Sequence, residues 1–149
     1  MSIYKHSEFL LLIITMQLDV PVIGILRGVD AAFFGEIMAA SFLAGLQAIE
    51  ITMNTRQADR IVSDYRHSVP QGKLLGMGTV RNLEEARKAH AAGAMFLVTP
   101  NCDEGVIEYA RGRDIPIIAG ALTPTEAYAA WRAGADGPRC RSCSTSCPG

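Results

Sequence analysis

The sequence has little cysteine in its body, no excess of charge of either sign and no apolar run long enough to cross a bilayer. Of its four cysteines only Cys102 lies outside the last ten residues, which argues against a disulfide-stapled fold and favours a reducing, cytoplasmic setting. With a formal net charge of −1, the sequence lacks the excess of basic residues that is typical of a nucleic-acid-binding protein. The 149 residues, 49% of them hydrophobic and 19% charged, suffice for one globular domain with a core.

The longest aliphatic stretch lies near the N-terminus. Residues 9–16 are FLLLIITM, which is too short to span a membrane. A signal peptide is the alternative, with Lys5 and His6 ahead of the stretch, but no small-residue cleavage site follows it. We therefore expect a covering helix over residues 8–18 and no membrane partner.

Beyond that helix, short apolar strands alternate with helical segments five times. The predicted strands are residues 20–27, 48–53, 74–80, 95–100 and 115–120. The predicted helices cover about 31–44, after an Asp30 cap, and about 56–67 and 103–111, with two more between Asn82 and Gly93 and between Thr123 and Gly134. Strict alternation of strand and helix with short connections predicts a parallel sheet with right-handed crossovers.

A weak internal repeat bears on how that sheet closes. An alanine-glycine pair ends three of the helices, at Gly45, Gly93 and Gly134, as expected for repeats of one βα unit. No G-x-G-x-x-G motif follows the first strand, so a barrel is favoured over a doubly wound sheet. The predicted fold class is therefore α/β, a parallel barrel of the TIM type, with the N-terminal helix and five βα units within residues 1–136.

The alternating pattern ends at Asp136. Residues 137–149 contain no aliphatic or aromatic residue, so we expect a Cys/Ser/Pro-rich, unstructured tail that forms no buried strand. The change in composition is abrupt, and a joined reading frame or cloning scar is one hypothesis for it. Cys140, Cys143 and Cys147 have a C-x2-C-x3-C spacing, but they lack a nearby histidine and folded support, so no metal is expected.

A carboxylate interrupts the second strand. Glu50 lies between Ile49 and Ile51 in a stretch that alternates at period two. A charge on the inner face of a barrel is costly unless it is paired or takes part in chemistry. We therefore expect Glu50 near the mouth of a polar site, the alternative being a purely structural pair with Arg27.

Other polar residues stand at the ends of the predicted strands, where parallel barrels build their active sites. They are Arg27, Asn54, Thr79, Arg81, Thr99, Asn101 and Thr123. With Glu50 they offer a group for proton transfer, a guanidinium for a carboxylate or phosphate, and donors for an oxyanion. The alternatives are that Arg27 leaves the barrel for solvent and that Thr79 only packs. Gly76 and Gly78, on the third strand, predict close approach of a backbone or a ligand.

Five motifs in order carry a family resemblance. They are ILRG at residues 25–28, EITMN at 50–54, GMGTV at 76–80, VTPN at 98–101 and TEA at 125–127. Over residues 18–136 the sequence resembles the class I 2-dehydro-3-deoxy-phosphogluconate aldolase family, which includes phosphogalactonate and 4-hydroxy-2-oxoglutarate aldolases. The resemblance implies a (β/α)8 lyase, usually a trimer, that cleaves a 2-keto-3-deoxy-6-phospho sugar acid to pyruvate and glyceraldehyde 3-phosphate.

The resemblance also implies roles for three residues. Glu50 matches the general acid and base of the family, and Arg27 and Thr79 match substrate-binding positions at the pyruvyl carboxylate. In this class a lysine amine condenses with the 2-keto group, and the protonated imine accepts the electrons of the broken bond without a metal or other cofactor. A nearby carboxylate moves the protons. The LRG and MNT variants resemble the phosphogalactonate branch.

The sequence departs from the family at the imine-forming position. The lysine of the family falls three residues after Asp136, where this chain has Arg139, and a guanidinium that stays protonated cannot form an imine. Lys5, Lys73 and Lys88 stand at a terminus, at the wrong end of a strand and within a helix. Strands six to eight, and the phosphate site that barrels build after strands seven and eight, are expected to be absent.

The sequence is therefore compatible with two functions. The first is a C-terminally truncated member of the aldolase family that is inactive as it stands. The second is a non-catalytic barrel fragment that binds a small anion near Arg27 or associates with itself through open sheet edges.

Overall fold

The computed structural model describes residues 18–19 and 22–140, with the backbone alone for 137–140. Its elements are β1 (Ile23–Leu26), α1 (Ala31–Leu43), β2 (Ala48–Thr52), α2 (Ala58–Tyr65), β3 (Leu74–Gly78), α3 (Leu83–Ala92), β4 (Leu97–Val98), α4 (Glu104–Arg111), β5 (Ile117–Ala121), α5 (Pro124–Ala133) and β6 (Gly137–Cys140). The predicted N-terminal helix, apart from Leu18, and tail residues 141–149 lie outside this range. No helix in the described part of the chain combines the length and apolar composition that a membrane span needs.

The strands form one sheet in the order of the chain. All five neighbouring pairs are parallel, and Glu50 of β2 lies opposite Ile25 on one side and Gly76 on the other. A sheet that keeps chain order, with one helix between successive strands, is the arrangement of a barrel, whereas a doubly wound sheet reverses its order partway. The predicted fold class, a partial (β/α)8 barrel, is confirmed.

The two faces of the sheet bury separate apolar clusters, because side chains alternate along each strand. Ile49 and Ile51 of β2 belong to the larger cluster, which the helices cover. Ala48, on the opposite face of β2, packs with Phe96 in a smaller cluster. Glu50 shares the face of Ala48, and it therefore projects into the barrel interior and not toward the helices.

Short-range contacts set the helix ends much as the sequence predicts. Asp30 and Asn82 cap α1 and α3 by accepting hydrogen bonds from helix amides at 2.9 and 3.0 Å. Thr123 and Glu126 form a capping box at the start of α5. The junction glycines follow their helices with φ of 102°, 89° and 93°, namely Gly45, Gly93 and Gly134. Glycine adopts this left-handed conformation without the cost of a Cβ.

The sixth strand corrects the sequence analysis. No strand was predicted after Asp136, yet Gly137–Cys140 pairs in parallel with β5, and Arg139 lies opposite Gly120. The amide of Asp136 donates to a carbonyl at the start of β5 at 2.9 Å and begins the pairing. Strand pairing uses backbone groups, and a proline such as Pro138 is tolerated in an edge strand, which β6 is among the described strands. The lack of aliphatic residues after Asp136 was therefore a wrong reason to predict that no strand forms there.

Candidate active site

Glu50 is buried inside the barrel, with 2% of its surface exposed. Its carboxyl group lies against Gly78 of β3, since a Cβ built on that glycine would come within 2.3 Å of the Glu50 Oε1 atom. The register partner of Gly78 is Thr52, two residues beyond Glu50. The Glu50 side chain therefore leans along β2 toward the carboxyl end of the strand, which is the end where parallel barrels carry their chemistry.

The other glycine of β3 makes room for an aromatic ring. A Cβ on Gly76 would lie 2.6 Å from the ring of Phe96, which is fully buried. The predicted close approach at these two glycines is thus real, but the approaching groups are the side chains of Phe96 and Glu50 and not a backbone. The absence of side chains at these two glycines leaves room on β3 for the Phe96 ring at Gly76 and for the Glu50 carboxyl group at Gly78.

Thr79 has an unusual backbone conformation. It directly follows β3 and its φ is 58°, a left-handed value that costs a β-branched residue about 1–3 kcal/mol. Hydrogen bonds hold the chain on both sides of it, from the Met53 amide to the Gly78 carbonyl at 2.7 Å and from the Val80 amide to the Val98 carbonyl at 3.1 Å. Strain of this kind concentrates at functional sites, where the surrounding structure maintains it.

Arg27 directly follows β1 and is exposed. Ile25 is the register partner of Glu50, so Arg27 lies two residues further toward the carboxyl end of the sheet. Arg27, Glu50 and Thr79 therefore stand on or directly after three adjacent strands, and the structure places all three at the same end of the barrel.

Most of the other polar residues at the strand ends make structural contacts. Arg81 pairs with Glu85 in the first turn of α3, and the hydrogen bond between the two side chains raises the pKa of Arg81 and lowers the pKa of Glu85. The buried Thr99 hydroxyl donates to the Asn101 carbonyl at 2.6 Å, and Thr123 caps α5. These contacts stabilise loops and helix ends.

Two buried threonines at the end of β2 escaped the sequence analysis. Thr52 and Thr55 are 0% and 5% exposed, and their Oγ1 atoms lie 3.0 Å apart. The Gly28 amide donates to the Thr55 Oγ1 atom at 3.0 Å. This hydroxyl pair links the turn after Arg27 to the strand that carries Glu50. The available signal was the period-two alternation of the strand, which puts Thr52 on the interior face.

The described side chains form no cluster of three or more histidine, cysteine, aspartate or glutamate residues that could hold a metal ion. Cys143 and Cys147 of the C-x2-C-x3-C motif lie outside the described residues. Cys102, after β4, is half-buried, and this burial raises the pKa of its thiol.

Fold and site together define a partial parallel (β/α)8 barrel protein with a buried carboxylate at the end of the sheet that carries catalysis in such barrels. The family model described as KDPG and KHG aldolase matches residues 13–138. The chain belongs to this family, as the sequence motifs predicted.

Curated relatives carry the names of aldolases. The chain is 34% identical over 117 residues to a probable 2-dehydro-3-deoxy-6-phosphogalactonate aldolase of Rhizobium meliloti, covering 78% of this chain and 55% of the relative. It is 33% identical over 119 residues to the 2-dehydro-3-deoxy-6-phosphogalactonate aldolase of Escherichia coli, covering 80% and 58%. It is 34% identical over 107 residues to the 2-dehydro-3-deoxy-phosphogluconate aldolase of Treponema pallidum, covering 72% and 49%. The chain thus spans about half the length of these relatives.

Solved structures agree with this assignment. A structure described as native KDPGal superposes with a TM-score of 0.81 at 31% identity, covering 86% of this chain and 62% of the other. The 2-keto-3-deoxy-6-phospho-gluconate aldolase of Zymomonas mobilis superposes with a TM-score of 0.71 at 25% identity, covering 81% and 57%.

Proposed function

We propose that this chain carries the proton-transfer and pyruvate-binding part of an aldolase site, with Glu50 as the general acid and base. The observation that carries the proposal is the Glu50 carboxyl group, which is buried in the barrel interior and seated against Gly78. A barrel interior with no function favours an apolar side chain at such a position, because a buried carboxylate is costly. Relatives named as phosphogalactonate and phosphogluconate aldolases support an aldolase site in this family.

The proposed reaction of the complete site is the cleavage of a 2-dehydro-3-deoxy-6-phospho sugar acid, gluconate or galactonate, to pyruvate and glyceraldehyde 3-phosphate. A lysine amine adds to the 2-keto carbon and water leaves to give a protonated imine. As the C4 hydroxyl loses its proton, the imine accepts the electron pair of the breaking C3–C4 bond and glyceraldehyde 3-phosphate departs. The enamine that remains is protonated at C3, and water hydrolyses the imine to release pyruvate and the amine. Glu50 transfers the protons that imine formation and bond cleavage require. The Glu50 carboxyl group is buried in the barrel interior, at the end of the sheet where these proton transfers are proposed to occur.

Arg27 and Thr79 are the proposed substrate-binding residues. The Arg27 guanidinium is suited to hold the pyruvyl carboxylate with two parallel hydrogen bonds, and the Thr79 hydroxyl can donate a third. Their position at the same end of the sheet as Glu50 supports this role, and so does the left-handed φ of 58° at Thr79.

The chain as it stands is proposed to bind pyruvate without forming an imine. The family resemblance puts the reactive lysine where β6 carries Arg139, opposite Gly120. A guanidinium remains protonated and does not add to a ketone. We therefore expect no aldolase activity from these 149 residues.

Two measurements on the full chain test the proposal. Borohydride reduction in the presence of pyruvate, followed by intact-mass analysis, should yield no adduct, and a stable adduct would refute the absence of imine chemistry. Titration with pyruvate, followed by chemical-shift changes, should show saturable binding that Arg27→Gln weakens. A wild-type chain that binds no pyruvate would overturn the assignment of Arg27 and Thr79.

A second candidate function, self-association, is supported by the edges of the sheet. Among the described strands β1 pairs only with β2 and β6 only with β5, and Val22 and Ile25 beside the first edge are 49% and 44% exposed. Unpaired strand edges are templates for further pairing. Light scattering after size exclusion separates the candidates. We propose that the chain works in a reducing cytoplasm as a discrete homotrimer, which is the oligomer that the family resemblance implies. Association through the sheet edges would instead give open-ended species whose mass grows with protein concentration.

A further inference from the structure

We propose that the hydroxyl pair of Thr52 and Thr55 is a positioning element for Arg27. It holds the turn after β1 against the end of β2, so that Arg27 is presented at the same end of the barrel as Glu50. The inference rests on the proposed function, since it takes Arg27 as the residue that binds the substrate carboxylate. Neither threonine is proposed to touch the substrate.

The contact that carries the inference joins residues far apart in the chain. The Gly28 amide donates to the Thr55 Oγ1 atom at 3.0 Å across 27 residues of sequence. Gly28 is itself exposed, and an amide at an exposed turn can be satisfied by water at little cost. Its donation to a side chain that is 5% exposed instead ties the turn to the interior of the barrel.

The backbone conformation of Gly28, and not side-chain packing, explains why a glycine stands at this turn. Its φ is 68°, in the region that glycine adopts most easily. A Cβ built on Gly28 would meet no atom within 4 Å, so packing does not require a glycine there. The backbone conformation favours one, and it is the conformation in which the Gly28 amide reaches Thr55.

Thr52 holds the side chain of Thr55 in position. The Thr55 amide donates to the Thr52 carbonyl at 2.8 Å, and the two hydroxyl oxygens lie 3.0 Å apart. A threonine hydroxyl has one proton and two acceptor sites, so Thr55 can accept the Gly28 amide and still bond with Thr52. Because Thr52 is the last residue of β2 and is fully buried, the pair is anchored in the sheet.

The experiment compares Thr55→Val, which removes the hydroxyl at nearly constant volume, with Thr55→Ser, which keeps it. In the full chain, Thr55→Val should accelerate hydrogen exchange of the Gly28 amide and weaken pyruvate binding by about five- to tenfold, because Arg27 must then be ordered on binding. Thr55→Ser should retain both the exchange rate and the affinity of the wild type. Thr52→Val leaves the bond between Gly28 and Thr55 in place. It should change the Gly28 exchange rate and the pyruvate affinity in the same direction as Thr55→Val but by less. It replaces Thr55→Val in the test if that variant does not fold.

Three results would overturn the inference while the proposed function stands: unchanged exchange at Gly28 in Thr55→Val, wild-type affinity for pyruvate despite faster exchange, or a Thr55→Ser chain that behaves like Thr55→Val. A wild-type chain that binds no pyruvate marks a different failure. It overturns the proposed function first, and the inference with it.

Discussion

The carboxyl group of Glu50 occupies the space that a side chain on Gly78 would need. The two residues lie on adjacent strands but are not register partners, because Gly78 pairs with Thr52. A Cβ on Gly78 would approach the Glu50 Oε1 atom to 2.3 Å, far closer than atoms in a packed interior come. The position of the acid at the mouth of the barrel therefore depends on a missing side chain one strand away.

Gly78→Ala should displace the Glu50 carboxyl group and lower the free energy of unfolding by about 1–3 kcal/mol, the usual cost of overpacking a core. Urea denaturation followed by circular dichroism measures this change. Gly112→Ala is the matched control, because that glycine has a φ of −64° and a Cβ there would lie 3.4 Å from its nearest neighbour. The control should change stability little.

A double-mutant cycle identifies the clash itself. In a Glu50→Ala background the carboxyl group is gone, so Gly78→Ala should cost much less than in the wild type, with a coupling of roughly 0.5–3 kcal/mol. In a Glu50→Gln background the side chain at position 50 keeps its shape, so Gly78→Ala should again lower the free energy of unfolding by the full wild-type amount. Equal costs in all three backgrounds would show that Gly78 is needed for another reason.

Thr79→Gly should separate stability from binding. The left-handed φ of 58° at Thr79 is strained for threonine and ordinary for glycine, so relief of strain should offset the added chain entropy and change the free energy of unfolding by no more than about 1 kcal/mol. Pyruvate affinity should nevertheless fall, since a proposed hydrogen-bond donor is lost. Thr79→Ala, which loses the hydroxyl but keeps the strain, should lose affinity without this relief. Wild-type affinity in both variants would remove Thr79 from the site.

Arg139→Lys should restore the capacity to form an imine. The substitution puts a primary amine at the position of β6 that lies opposite Gly120, where the family resemblance puts the reactive lysine. Borohydride treatment with pyruvate should then give a covalent adduct that wild type lacks, and Glu50→Gln in the same chain should slow its formation. Arg132→Lys, in the exposed last turn of α5, is the control and should give none. A folded Arg139→Lys chain without adduct would contradict the proposed placement of the site.

The capping box of α5 should make stability depend on pH in a defined direction. Hydrogen bonds from the Leu122 amide and from Thr123 hold the pKa of Glu126 below its ordinary value of 4.5. A pKa lowered in the folded state contributes stability above the unfolded pKa, and this contribution is lost as the pH falls through the folded pKa. Glu126→Gln should therefore be less stable than wild type at neutral pH, and the difference should shrink under acid conditions.

Urea midpoints across a falling pH series provide that measurement. Glutamine can also occupy the capping box, so a small effect is expected for Glu126→Gln. Glu108→Gln changes an exposed glutamate within α4 and is the control for loss of one negative charge. A difference for Glu126→Gln that stays constant with pH would contradict the prediction.

Sequence patterns predicted the elements well where short-range contacts decide them. The Asp30, Asn82 and Thr123 caps and the glycine helix ends involve residues within one turn of each other, and all stand where predicted. Strand lengths were predicted less well. The fourth strand was predicted over 95–100 but is the two-residue β4, Leu97–Val98, because the length of a ladder depends on the neighbouring strands as well as on its own residues.

The sequence by itself determined the alternation of strands and helices, the family, and the presence of an acid in an apolar strand, since these follow from residue order alone. Only the tertiary structure decided that Glu50 rests against Gly78, that Thr55 reaches Gly28, and that a segment without aliphatic residues pairs with β5 as a sixth strand. The physical reason is common to all three. Each depends on the register and pairing of strands from distant parts of the chain, which no local pattern specifies.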